Sequence, residues 1–156
     1  MDSIVAHGPE RLINARLAAD PAWKKTVAVL DATRLIELGV RTGLVCQLTK
    51  LDRKTANRLY RQIYDRPSPP GQFPFTDSWF PKSERRMLHA AIVWRIHKHL
   101  RETSDRPARI LIDLYAIYRQ LIQEDLLEIC HVAFVPAGRA AGTAGAGHRI
   151  GHRRHR

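Results

Sequence analysis

The chain is poor in the residues that several protein classes require. Its only cysteines are Cys46 and Cys130, both in apolar surroundings. A disulfide framework is therefore not expected, and both read as buried free thiols. No apolar run reaches the 18 residues that suggest a membrane-spanning helix. The first residues lack the basic-then-apolar order of a secretory signal. Together these point to a cytoplasmic protein with no membrane partner. Acidic residues are also scarce. Asp and Glu number 15 against 26 Lys and Arg, a formal charge of +11. Five of the arginines lie in the acid-free stretch 137–156, and without them the rest still carries +6. A basic body of this kind points to a polyanionic partner.

Period-2 alternation is missing too, so an all-α fold is expected. Apolar spacing predicts a first helix from Pro9 to Ala19, with Leu12, Ile13 and Leu17 on one side. A second spans Ala22 to Leu38, with Val27, Leu30, Leu35 and Leu38 as its apolar positions and Gly39 at its end. Two short helices follow in residues 40–63. A long helix is predicted from Ser83 to Arg101, its stripe formed by Met87, Ala91, Trp94 and Leu100, with Leu88 and Ile92 alongside. Asp105-Arg106-Pro107 breaks it, and a last helix runs from Ala108 to Ile129. Trp94, Tyr115 and Tyr118 read as core. Between the two halves, residues 66–81 hold five prolines and four aromatics, Phe73, Phe75, Trp79 and Phe80. Prolines exclude a helix there, and the aromatics suggest an ordered loop packed on the helices. The expected organisation is one helical domain over 1–135, with a disordered Arg/Gly/His-rich tail over 136–156.

Val45 to Ile63 reads as a helix-turn-helix. Leu44, Val45 and Leu48 face inward from the first helix, with small Cys46 where the two helices cross. Leu51 plugs the core from the turn Lys50-Leu51-Asp52, which has no glycine, and Asp52 caps the second helix. That helix turns Ala56, Leu59, Tyr60 and Ile63 inward. Its other face carries Arg53, Lys54, Asn57, Arg58 and Arg61. These types read base edges and hold phosphates. Arg53, Lys54 and Asn57 are expected nearest the bases, and Arg58 and Arg61 on the backbone. Double-stranded DNA is the expected partner.

Catalytic signatures are absent: there is no nucleophile elbow and no phosphate-binding glycine loop. No catalytic residue is assigned. His97 and His99, two apart on a helix, point to different faces and read as surface positions.

The segment RLIELGVRTGLVCQLTKLDRKTANRLYRQI, followed by SPPGQFPFTDSWF, resembles the flagellar transcriptional activator family FlhC. The likeness covers about Asp31 to Gln120 and is carried most specifically by Ser68-Pro69-Pro70, Pro74-Phe75 and Trp79-Phe80. It implies a DNA-binding activator subunit that works with an FlhD-like partner subunit and RNA polymerase at flagellar operon promoters, controlling motility. The alternative is a degenerate or variant paralogue acting mainly by protein–protein interaction. The family also implies zinc held by a C-terminal cysteine cluster. Here only Cys130-His131 stands in that region, with no later cysteine. Tetrahedral zinc needs four ligands, and His148, His152 and His155 read as part of the disordered tail. The expectation is no metal and no cofactor.

Overall fold

The computed structural model describes residues 18–70, 83–122 and 127–135. Helices account for about four fifths of these residues, and no strand occurs among them. The all-α expectation holds. The chain divides into two compact units, residues 1–68 and 69–156.

The first unit is built from three helices: α1 (Pro21–Glu37), α2 (Thr42–Thr49) and α3 (Arg53–Tyr64), each packed on the other two. Asp20 starts α1 by accepting the Ala22 N–H at 2.8 Å, with Pro21 at the first helical position. The helix ends in two bonds that satisfy its last carbonyls. Val40 N–H donates to Leu35 and Gly39 N–H to Ile36, at 2.9 and 2.8 Å. Gly39 takes φ +89°, so this ending needs a residue without Cβ. Leu35, Ile36, Val40 and Val45 are completely buried beside Ala32, Ala56 and Tyr60. Each large apolar side chain contributes roughly 1.5–3 kcal/mol.

Of the expected α1 stripe only Leu35 is in that core, and Val27 and Leu38 are half-buried. Leu30 is 63% exposed, whereas Asp31, Ala32, Leu35 and Ile36 are buried. The buried face is set by where α2 and α3 pack, which α1's own periodicity does not contain. Trp23, near the start of α1, is also exposed. Cys46 is free as expected but only half-buried, as is Cys130.

The second unit holds α4 (Glu84–Thr103), α5 (Pro107–Leu121) and a short helical segment, 129–135. Helices α4 and α5 pack together across the three-residue break that Pro107 ends. The face that α4 buries is not the expected one. His89, Ala90 and Val93 are buried, while Met87 and Leu88 are exposed. At about 100° per residue the buried face is rotated by roughly a third of a turn from the expected stripe. Buried His89 explains part of this: its Nδ1 lies 2.7 Å from the Tyr118 hydroxyl, and the rings meet edge to face. A polar pair in the core fixes a rotation that apolar counting does not see. Tyr118 is core as expected, while Trp94 and Tyr115 are half-buried.

Helix α5 stops at Leu121, eight residues before the expected Ile129. Ile122 turns to extended backbone at φ −118°, ψ 102°. Leaving the helix there allows Leu127, Ile129, Val132 and Val135 to bury as a separate segment. Most of the Pro9–Ala19 helix, most of the proline and aromatic loop 66–81, and the tail 136–156 lie outside the described residues.

Candidate nucleic-acid interface

The second and third helices are joined by Lys50, Leu51 and Asp52. Lys50 ends α2 in the left-handed region at φ 60° and ψ 16°, donating its N–H to Cys46 at 2.9 Å. A lysine thus occupies the conformation that glycine favours. Asp52 then caps α3 twice. One carboxylate oxygen accepts the Thr55 N–H at 2.8 Å, and the other accepts the Thr55 hydroxyl at 2.7 Å. These two bonds hold the Asp52 carboxyl below its ordinary pKa. At the far end, the Tyr64 hydroxyl donates to the Ile36 carbonyl at 2.9 Å, tying α3 to the end of α1. Tyr64 also stacks obliquely on Tyr60 at 5.0 Å and lies beneath the Arg66 guanidinium. The N-terminus of α2 has no side-chain cap of its own. The Ser68 hydroxyl accepts the Thr42 N–H at 3.3 Å instead. The first residue of the Ser-Pro-Pro motif therefore touches the helix pair.

Ala56 and Tyr60 are buried on the inner face of α3, with Leu59 and Ile63 half-buried. The opposite face carries the charge. Arg53, Lys54, Arg58 and Arg61 are exposed and Asn57 is half-exposed. Among the described residues none of these four cations makes an ion pair. No acidic residue stands in the first turn. Two cations there oppose the helix dipole, so stability of α3 does not account for them. They instead add to the positive potential of the free N–H groups.

Lys54, Asn57, Arg58 and Arg61 line one open groove, together with Asp52, Thr55, Gln62 and Asp65. Arg53 stands to one side, close enough to Cys46 for its charge to act on the thiol. Burial raises the Cys46 pKa, and Arg53 opposes that rise. Sequence reasoning missed one residue of the groove, Lys25 from α1. Its position in an unremarkable run of α1 gives no local signal, because only packing brings it beside α3.

The residues present do not fit a four-thiolate zinc site. The chain has two cysteines, one in each unit. Among the described residues no three His, Cys, Asp or Glu side chains gather as metal ligands would. No helix among the described residues is long and apolar enough to cross a membrane.

Comparison with known proteins gives one consistent result. The family model described as "Flagellar transcriptional activator (FlhC)" matches residues 22–136. A flagellar transcriptional regulator FlhC of Erwinia tasmaniensis is 33% identical over 88 residues, covering 56% of this chain and 49% of its own. The namesake from Enterobacter cloacae is 32% identical over 88 residues, covering 56% and 46%. That of Cupriavidus pinatubonensis is 29% identical over 104 residues, covering 66% and 49%. The chain spans about half the length of these curated relatives. The match runs across α1 to α5 and the 129–135 segment, and on it the chain belongs to the FlhC family of flagellar transcriptional activators.

Proposed function

We propose that the chain is a DNA-binding transcriptional activator subunit acting at flagellar operon promoters, with α2, the turn and α3 as its helix-turn-helix. One observation carries this reading: the outer face of α3 presents four exposed cations that make no ion pair among the described residues, with Asn57 among them. In the proposed mechanism, α2 lies against the duplex backbone while the first turns of α3 enter the major groove. Lys54 and Asn57 reach base edges, Asn being suited to adenine and Lys to guanine. Arg53 joins them from the same first turn, and Arg58 and Arg61 hold phosphates. The family resemblance adds an FlhD-like partner subunit and RNA polymerase as the machinery through which binding becomes activation, in the cytoplasm. No catalytic step is assigned to the protein.

The test uses the full chain co-expressed with an FlhD-like subunit and a flagellar promoter duplex. Lys54→Ala with Asn57→Ala should weaken specific binding by about tenfold or more, since each good base contact is worth roughly 1–3 kcal/mol. Co-purification with the partner should be unaffected. If the double variant shifts the promoter as well as the unaltered chain does, α3 is not the reading helix. The alternative, a paralogue acting by protein–protein contact alone, would then stand.

A further inference from the structure

The groove beside α3 has one wall that α3 does not supply. Lys25, in the second turn of α1, lines the same open groove as Lys54, Arg58 and Arg61. It is exposed, and among the described residues it makes no ion pair. The groove thus joins four cations from two helices against two carboxylates, Asp52 and Asp65. Asp52 is already held by its two bonds to Thr55. An enclosed cluster would suit a small anion. An open groove whose cations come from two separate helices suits a strand of successive phosphates, with each helix holding a different point along it.

We infer that Lys25 is a backbone-phosphate contact of the duplex that α3 reads, fixing the angle at which α3 enters the groove from a second, rigidly packed helix. The inference rests on the proposed DNA-binding reading of α3. Lys25 carries no sequence information in this role, so its loss weakens every duplex alike. Each phosphate contact contributes about 0.9 to the slope of log K against log salt. One lost contact therefore shrinks the ratio of variant to unaltered Kd by about 3.5-fold between roughly 50 and roughly 200 mM salt.

The experiment titrates the full chain, co-expressed with the FlhD-like subunit, into a fluorescent flagellar promoter duplex and a scrambled duplex of equal length, across that salt range. The variants are Lys25→Ala, Lys25→Gln, Lys25→Arg, Lys24→Ala and Arg58→Ala. Lys24 lies about 100° around α1 from Lys25 and removes the same charge elsewhere. Lys25→Ala and Lys25→Gln should weaken both duplexes by one common factor and lower the salt slope by about 0.9, while Lys25→Arg restores both. If Lys25→Ala behaves like Lys24→Ala while Arg58→Ala still weakens binding, the inference falls and the reading of α3 stands. If the unaltered chain with its FlhD-like subunit binds neither duplex at low salt, both fall.

Discussion

Lys50 shows how a single residue can be strained by a turn and still serve it. At φ 60° it pays the left-handed penalty of roughly 1–2 kcal/mol for a side chain with Cβ. Glycine would remove that strain but add about 0.5–1 kcal/mol of chain entropy. Lys50→Gly should therefore stabilise the first unit slightly, by about 0.5 kcal/mol, measured by urea unfolding. A clear loss of stability would show that the lysine side chain makes a contact worth more than its strain. Asp52, two residues on, was legible from sequence because a cap needs only its own helix. Lys25 was not, because nothing near it in sequence marks it as facing α3.

At the scale of elements, helix existence followed from local sequence, but helix rotation and length did not. The break at 104–106, the glycine ending of α1 and the cap of α3 are local events, written in Pro107, Gly39 and Asp52. The rotation of α4 places His89 against Tyr118, 29 residues away. Tyr118→Phe should destabilise the second unit by about 1–3 kcal/mol, because it leaves a buried histidine nitrogen without its partner. Chemical denaturation measures this. An unchanged midpoint would mean that the pair does not hold α4 in place. The early end of α5 likewise goes with a tertiary outcome: Leu127, Ile129, Val132 and Val135 are buried outside that helix.

At the scale of the molecule, the +11 charge raises the question of acid stability. Burial, followed by the charge of Arg101, holds the His97 pKa below the ordinary histidine value. Burial does the same for His131, with Glu128 opposing it and Arg86 adding to it. A histidine with a lowered folded pKa binds its proton more readily when unfolded. Stability is therefore complete above about pH 6.5 and falls as pH drops from there through the lower folded values. The thermal midpoint should decline over that interval. The double variant His97→Gln, His131→Gln should flatten the decline, and an equally steep fall in that variant would assign it to other groups. The Asp52 carboxyl acts further down the scale, its contribution disappearing as pH falls from the ordinary carboxylate range through its lowered value.

The sequence by itself determined the all-α class, the helix boundaries marked by caps and prolines, and the family. Each depends on residues close together in the chain or on a motif read in order. It also placed the cations of α3 on one face, because 3.6-residue periodicity does that without help from the rest of the fold. Only the tertiary structure decided which faces of α1 and α4 are buried, why Leu30 and Met87 are exposed, and that Lys25 shares a groove with Arg58 and Arg61. Those outcomes depend on which helices pack together, and packing joins residues whose separation along the chain carries no signal.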